Sequence, residues 1–335
     1  MATLDHGSIL AHFRAIGSAI RDALRAHMLE QSTEVLARTV RDDLGDTIFG
    51  IDAHVEDTLI RECETWGGSQ RFTLLAEGLD PAGITFGTDS SATSTPPFRL
   101  LVDPIDGTRG LMFDKRSAWC LLGAAPDRGE ATRLADVEVA MMVELPTTRQ
   151  ATSDVLWATA GGGAFGERHD LVRATIRPLP LRPSQADTLL HGFASVSNFF
   201  QGGKELIARL EEAILARALG PWNPDKAEVY CDQYISSGGQ LAELALGRDR
   251  FVLDVRPLVH RALGAASSLA CRPYDLVTWL VAHEAGCVIR DPSGAPLDAP
   301  LDVTTNVGFA GYANAALAAR MLPIVREEVE RLLGL

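Results

Sequence analysis

The most informative stretch of the sequence is FRLLVDPIDGT, residues 98–108. It begins with a mostly apolar, β-prone run that predicts a buried strand. Pro104 cannot continue a central strand, so we expect the chain to leave the sheet there and to expose Asp103 and Asp106 at its edge. Two carboxylates at this spacing repel each other unless a cation lies between them, and hard oxygen ligands in a tight turn suit Mg²⁺. The stretch therefore predicts a magnesium site in preference to a polar turn with an incidental acidic pair.

Two other segments supply acidic groups that this turn lacks. The run RFTLLAEG, residues 71–78, is a second strand-like segment and ends in a carboxylate, Glu77. Residues 274–286 have apolar side chains at helical spacing and end in a glycine, which predicts a helix. Asp275 lies at the start of this helix, where the helix dipole favours an anion.

In order and spacing, Glu77, the 103–108 run and the Asp275 helix resemble the three metal-site motifs of the inositol monophosphatase superfamily. This superfamily also contains the fructose-1,6-bisphosphatases and the 3′-phosphoadenosine 5′-phosphate phosphatases. The resemblance covers nearly the whole chain, because further segments are similar to other family motifs: 50–56, 161–166 and 236–249. It implies an α/β (α+β) fold, the layered αβαβα sandwich of the inositol monophosphatase type.

The resemblance also implies a site with two or three Mg²⁺ ions. One ion would be bound by Glu77, Asp103 and the carbonyl oxygen of Ile105. A second would be bound by Asp103, Asp106 and Asp275. With ligands that are all oxygen, Mn²⁺ is expected to substitute. Li⁺ is expected to inhibit by occupying the site of Asp106 and Asp275.

Further roles follow from the same resemblance. Glu77 would orient the attacking water, with Thr108 and Asp52 behind it. The amides of Gly107 and Thr108 would bind the phosphate, which amides at a turn that opens a helix can do. The residues expected to bind the rest of the substrate are Arg109, Asp254 and Tyr274.

The predicted activity is that of a Mg²⁺-dependent phosphomonoesterase acting on an inositol monophosphate or a related sugar phosphate. One alternative is a 3′-phosphoadenosine 5′-phosphate phosphatase, because residues 108–111 resemble a run typical of that branch. Another is a non-catalytic protein that binds metal or phosphate on the same scaffold. The chain departs from the family pattern at Gly78, Asp254 and Tyr274, and an extra segment at about 256–272 precedes the third motif. These departures leave the metal site intact and the substrate open.

Other phosphate-site motifs fit less well. Haloacid-dehalogenase phosphatases use Asp-x-Asp-Gly-Thr, whereas residues 103–108 have one residue more between the aspartates, which disfavours a covalent aspartyl phosphate. Gly161, Gly163 and Gly166 match G-x-G-x-x-G, but a proline-rich, strand-like segment follows where a dinucleotide site needs a helix. We therefore predict a hairpin at these glycines.

Composition limits the class of protein. The 335 residues are 46% hydrophobic and 22% charged, which is typical of a globular protein with a substantial core. The net charge of −13, without a basic stripe, argues against nucleic-acid or membrane partners. The expected partner, a small phosphomonoester, is what the resemblance implies. Five widely spaced cysteines, expected to be buried, and the lack of a secretory signal or long apolar run predict a cytoplasmic location. The family resemblance adds a homodimer.

The pattern of elements predicts two halves. Residues 1–180 would form an N-terminal α+β half carrying Glu77 and the 103–108 run, and residues 181–335 a C-terminal α/β half carrying Asp275. Helices are predicted at 8–29, 52–66, 204–219, 238–246 and from Ala313, the last broken or kinked at Pro323. Strands are predicted at 118–124, 137–144, 155–160 and 190–196, and a long loop at 81–97.

Overall fold

The computed structural model describes residues 4–43, 46–87, 96–265 and 269–334. The helices in these ranges are α1 His6–Glu30, α2 Thr33–Leu36, α3 Gly50–Gly67, α4 Thr108–Leu111, α5 Lys204–Leu219, α6 Ser237–Ala245, α7 Arg256–Ala262, α8 Trp279–Glu284 and α9 Ala315–Leu333. The strands are β1 Thr39–Asp43, β2 Asp46–Phe49, β3 Phe72–Ala76, β4 Ile84–Phe86, β5 Phe98–Asp106, β6 Ala118–Pro126, β7 Val139–Leu145, β8 Thr152–Thr159, β9 Gly163–Asp170, β10 Thr175–Pro178, β11 Gly192–Val196, β12 Val229–Tyr230, β13 Asp249–Asp254, β14 Val288–Arg290 and β15 Phe309–Tyr312.

Most of these strands form two sheets. Within the described ranges the larger sheet has eight strands in the order β10-β9-β8-β7-β6-β5-β3-β4, and only the β3–β5 pair is parallel. The smaller has five strands in the order β12-β11-β13-β15-β14, and β11 runs parallel to both of its neighbours. The larger sheet lies before residue 180 and the smaller one after it, while the division of the chain into 1–180 and 181–335 stays a prediction.

The two faces of the larger sheet pack against different helices. Alternate side chains of its central strands point to opposite faces, so that Leu122 joins a core with α1 and α3, and Leu121 joins a core with α6 and α8. Helices α6 and α8 also contact the smaller sheet, and α5 and α9 pack on the far side of that sheet. The layers are therefore α1/α3, larger sheet, α6/α8, smaller sheet and α5/α9, which confirms the predicted αβαβα sandwich.

The predicted helices that became α1, α3, α5 and α6 are confirmed to within a few residues, and the four predicted strands became β6, β7, β8 and β11. Helix α9 continues through Pro323, and Met321 and Val325 are buried in the core, so a break there is excluded while a kink stays a prediction. The predicted loop at 81–97 contains the short strand β4, and residues 88–95 lie outside the described ranges.

The predicted hairpin is confirmed. Strands β8 and β9 pair antiparallel on either side of the turn at Gly161–Gly163, where no helix opens. The carboxylate of Glu284 accepts hydrogen bonds from the amides of Gly161 at 2.8 Å and Gly163 at 2.9 Å. Both glycines have positive φ, which explains why glycine is needed at this turn.

Two further expectations concern the cysteines and membranes. All five cysteines are free and four are buried, but Cys231 is exposed, so the prediction of burial is wrong there. None of the helices in the described part of the chain combines the length and apolar character that a membrane span requires.

Candidate metal centre

Strand β5 presents two carboxylates through a β-bulge. Asp103 lies opposite Leu121 of β6 and Asp106 opposite Trp119, so an interval of three residues on β5 faces an interval of two on β6. Because side chains alternate along a strand, residues three apart would face opposite sides of a regular strand. The extra residue of the bulge brings Asp103 and Asp106 to the same side. The prediction that the chain leaves the sheet at Pro104 is therefore wrong: a bulge tolerates a residue without an amide hydrogen, and β5 continues to Asp106.

Three carboxylates meet at this edge. Oxygen atoms of Asp103, Asp106 and Asp275 lie within 4.8 Å of one another, and the first two side chains are buried, so the prediction that Asp103 and Asp106 are exposed is wrong. Asp275 lies in a 3₁₀ turn, Tyr274–Leu276, that precedes α8, so the prediction of one continuous helix over 274–286 is wrong. Glu77 directly follows β3, and its amide donates to the carbonyl of Val102 on β5 at 3.2 Å. The structure thus brings the three acidic segments of the sequence to one place.

Burial makes this cluster a poor place for uncompensated negative charge. Burial, followed by repulsion from Glu77, Asp106 and Asp275, raises the pKa of Asp103 well above its usual range. Burial raises the pKa of Asp106 to about 6, and burial with repulsion from Asp106 raises the pKa of Asp275 to about 8. A divalent cation would compensate the ionised forms, and a donor set made only of oxygen fits a hard ion such as Mg²⁺.

The N-terminal end of α6 holds Asp106. One oxygen of Asp106 accepts hydrogen bonds from the Ser236 hydroxyl at 2.8 Å and the Gly238 amide at 2.6 Å. The Ser236 hydroxyl in turn accepts from the Gly239 amide at 2.8 Å and caps the helix. A Cβ on Gly238 would lie 2.9 Å from that carboxylate oxygen, so a glycine is needed for the close approach. Ser236 and Gly238 belong to a segment matched to a family motif but had no predicted role in the site, although a serine followed by glycines is a recognisable helix start.

The turn after β5 fixes a hydroxyl group beside the cluster. The Thr108 hydroxyl lies 3.2 Å from the carboxylate of Asp52 and 2.8 Å from the carbonyl oxygen of Ile105. The second oxygen of Asp52 accepts from the Phe49 amide at 2.8 Å, which fixes Asp52 in the first turn of α3. Gly107 has a φ of 104°, in the region that favours glycine. Both acceptors compete for the proton of Thr108, so the oxygen of Thr108 keeps its lone pairs for a third group.

The carboxylates line a cleft whose other lining is aromatic and cationic. We call Arg109, Phe199, Phe200 and Arg256 the aromatic–arginine wall. The guanidinium carbon of Arg256 lies 4.6 Å from the ring centre of Phe199, and that of Arg109 lies 5.1 Å from the ring centre of Phe200. Tyr274 also lines the cleft, as do Leu269, Ala270 and Arg272 of the extra segment, of which residues 266–268 lie outside the described ranges.

Asp254 is placed differently from the other predicted substrate residues. It is fully buried, and its two oxygens accept hydrogen bonds from the Arg256 guanidinium at 2.5–3.0 Å. Another nitrogen of Arg256 donates to the carbonyl of Leu269 at 2.9 Å, which ties α7 to the end of the extra segment. A direct contact between Asp254 and substrate stays a prediction. The sequence analysis missed Arg256, Phe199 and Phe200; an arginine two residues after an aspartate and two adjacent phenylalanines were the available signals.

Comparison with known proteins finds this fold in solved structures. No family model and no curated protein matches the chain. The extragenic suppressor protein SuhB of Bartonella henselae is similar with a TM-score of 0.64 and 16% identity, over 96% of this chain and 99% of that one. The IMPase of Thermotoga maritima is similar with a TM-score of 0.60 and 16% identity, over 97% and 99%. The fructose-1,6-bisphosphatase of Leishmania major has a TM-score of 0.65 and 11% identity, over 96% and 93%. The chain therefore has the fold shared by these IMPase and fructose-1,6-bisphosphatase structures.

Proposed function

We propose that the protein is a metal-dependent phosphomonoesterase that hydrolyses a small phosphorylated metabolite. The observation that carries the proposal is the cluster of Asp103, Asp106 and Asp275, whose oxygens lie within 4.8 Å of one another in an open cleft. The names of the structures that share the fold, an IMPase and a fructose-1,6-bisphosphatase, support the same chemistry.

The donor atoms divide into two sets. Glu77, Asp103 and the Ile105 carbonyl would hold one Mg²⁺, and Asp103, Asp106 and Asp275 would hold another. Bound divalent ions would lower the pKa of a water and neutralise negative charge on the phosphate and the leaving oxygen. Mn²⁺ suits the same donors, and we propose that Li⁺ competes for the set that contains Asp106 and Asp275.

The residues beside this centre would orient the reacting groups. The Thr108 hydroxyl donates to Asp52 or to the Ile105 carbonyl, so its oxygen can accept a hydrogen bond from the attacking water. The carboxylate of Glu77 would hold the same water and take up its proton. The amides of Gly107 and Thr108 would donate to phosphate oxygens, which backbone amides at a tight turn do well.

Two substrate classes remain candidates. Inositol monophosphates and related sugar phosphates are favoured by the family resemblance. A 3′-phosphorylated nucleotide is favoured by a specific feature of the cleft, because the rings of Phe199 and Phe200 lie on its surface and a base can stack on an aromatic ring. A homodimer and a cytoplasmic location stay predictions from the resemblance and the composition.

The test is phosphate release from a panel of phosphomonoesters with Mg²⁺, with Mn²⁺ and with EDTA. We expect turnover of at least one compound, loss of activity in EDTA and recovery when excess Mg²⁺ is added. Full activity in chelator would refute the metal mechanism. Mg²⁺-dependent binding of phosphomonoesters without turnover would instead support the non-catalytic alternative, whereas insensitivity to Li⁺ alone contradicts nothing in the mechanism.

A further inference from the structure

The arginines of the cleft differ in how their charge is used. Among the described residues three arginines line it: Arg109, Arg256 and Arg272. Arg256 is paired with the buried carboxylate of Asp254. Arg272 donates to two neutral acceptors, the carbonyl of Thr304 and the side chain of Asn306. Within the described part of the chain, the guanidinium of Arg109 has neither an ion pair nor a hydrogen bond, and it lies over the aromatic rings of Phe49 and Phe200.

These ring contacts position Arg109. Its guanidinium carbon lies 5.1 Å from the ring centre of Phe200 and 5.8 Å from that of Phe49, and the side chain is half-buried. The donors of a guanidinium lie in its plane, so a group stacked on aromatic faces keeps its N–H edge for an acceptor in that plane. The best acceptors are carboxylate and phosphate, which accept two parallel hydrogen bonds.

We propose that Arg109 binds a second anionic group of the substrate, a phosphate or carboxylate on the part of the molecule that is not hydrolysed. This inference rests on the proposed phosphomonoesterase function and narrows its substrate class. In the monophosphate of a polyol, the part that is not hydrolysed is neutral. This part would cover Arg109 without offering it an anionic partner, and a desolvated charge without a partner is unfavourable. The inference therefore favours substrates with two anionic groups over inositol monophosphates.

A competing role for Arg109 is a general electrostatic one. The residue also lines a neighbouring depression together with Asp52, Glu56 and Glu77, whose negative charge it would partly offset. An electrostatic role of this kind would act on every substrate alike. A contact with a second anion would act only on substrates that carry one, so selectivity separates the two roles.

The experiment compares substrates in matched pairs that differ in one anionic group. The pairs are 3′-phosphoadenosine 5′-phosphate with adenosine 3′-monophosphate, fructose 1,6-bisphosphate with fructose 1-phosphate, and 2-phosphoglycerate with glycerol 2-phosphate. The third pair tests a carboxylate in place of the second phosphate. We expect the wild type to favour the member with the second anion by at least about tenfold in kcat/KM in one pair or more, a difference of about 1.4 kcal/mol.

The variants are Arg109→Gln, Arg109→Lys and a control, Lys115→Gln. For each pair in which the wild type shows a preference, we expect Arg109→Gln to lower the ratio of the two kcat/KM values about tenfold. Arg109→Lys should lower this ratio less, since an ammonium retains the charge but not the paired donors. Lys115 is an exposed cation near the same turn, so Lys115→Gln should leave the ratio unchanged. All variants are first checked for an unchanged melting temperature.

An unchanged ratio in Arg109→Gln, equal losses for both members of every pair, or no wild-type preference in any pair would overturn the inference. If none of these compounds is hydrolysed, calorimetric dissociation constants for the same pairs in Mg²⁺ decide the inference, and the wider panel of phosphomonoesters decides the proposed function separately. The inference is supported if the wild type binds the member with the second anion more tightly and Arg109→Gln removes this difference in dissociation constant. It is refuted if the wild type shows no such difference.

Discussion

The carboxylate cluster and the aromatic–arginine wall line the same cleft but are built from different kinds of structure. Asp103 and Asp106 belong to one strand inside the larger sheet, paired with β6 along its length. The wall instead combines residues of α4, of the segment after β11 and of α7, and it is held by the buried pair of Asp254 and Arg256. We therefore propose that the metal chemistry would depend on the backbone of β5, and that substrate selectivity would depend on side-chain contacts between distant segments. Changes in the two regions should therefore have separable effects.

The largest expected effect is that of Asp106→Asn. The substitution keeps the shape and an acceptor for Ser236 and Gly238 but removes the charge that would hold the proposed second metal. We expect kcat/KM to fall by at least about 10³-fold, or about 4 kcal/mol of transition-state stabilisation. In a melting experiment the metal-free variant should be at least as stable as the wild type, and the rise in Tm that Mg²⁺ gives the wild type should shrink.

Asp187→Asn is a matched control, because Asp187 is an exposed residue outside the cleft and the substitution makes the same change of charge. This control should retain wild-type activity and the rise in Tm with Mg²⁺. Activity of Asp106→Asn within tenfold of the wild type, with normal folding, would contradict the two-metal assignment.

The next largest effect is expected in the wall. Arg256→Gln leaves the buried carboxylate of Asp254 without its partner, and we expect the free energy of unfolding in urea to fall by about 3 kcal/mol. Substrate preference should change, while the Mg²⁺ concentration for half-maximal activity stays within about threefold. The double variant Asp254→Asn, Arg256→Gln should regain part of the stability, because it buries no unpaired charge.

Two results would contradict this separation. One is a large shift in Mg²⁺ requirement in Arg256→Gln. The other is a double variant whose loss of stability equals the sum of the single losses, since independent contributions would mean that the two residues do not act as a pair. A higher KM in the double variant than in Arg256→Gln alone would support the predicted direct contact of Asp254 with substrate.

The smallest expected effect is a pH dependence of the metal-free protein. The folded-state pKa values of Asp106 and Asp275, about 6 and about 8, lie above the value of about 3.9 for an unfolded chain. The folded state therefore holds more protons, and its stability falls as pH rises from about 4 to about 8. In EDTA we expect the contribution of these two carboxyl groups to the free energy of unfolding to fall by at least about 1.4 kcal/mol between about pH 4 and about pH 8. This is the free energy that corresponds to a shift of one pKa unit.

Urea unfolding in EDTA at a series of pH values measures this effect. Excess Mg²⁺ should flatten the profile, because a bound cation replaces the protons, and Asp106→Asn should flatten it in EDTA. Stability that rises through the same window in the wild type and equally in Asp106→Asn would contradict the link between the carboxylate cluster and pH. Substitutions of Phe199 and Phe200 in the wall should leave the slope unchanged, whereas Arg256→Gln removes a charge that lowers the pKa of Asp275 and should extend the fall in stability to higher pH.

Part of the carboxylate cluster has local signals in the sequence, because Glu77, Asp103 and Asp106 each end or interrupt an apolar, strand-like run. That Asp275 would join them was expected from the family resemblance, and it lies in a 3₁₀ turn where a helix was predicted. The roles of Thr108 and Asp52 came only from family resemblance, and their hydrogen bond joins segments that are 56 residues apart.

What sequence reasoning could not predict depends on tertiary contacts. Pro104 argued against a strand, but pairing with β6 on either side of the bulge carries β5 past it. The helix expected at 274–286 is interrupted near Val277, whose side chain lies so close to Gly123 of β6 that a Cβ there would be 2.2 Å away. The wall requires Phe199 and Arg256 to meet, and no local propensity encodes that contact.

The bulge in β5 has a consequence for how this motif tolerates change. Residue 105 contributes its carbonyl oxygen to the turn while its side chain is buried among apolar neighbours, so another aliphatic residue of similar size preserves both properties. An insertion or deletion at 104–105 would instead turn the oxygens of Asp103 and Asp106 away from each other or return the backbone to regular pairing. At residues 104–105 it is the number of residues, more than their identity, that sets the relative placement of the two carboxylates, and alignments of distant relatives should keep that spacing fixed.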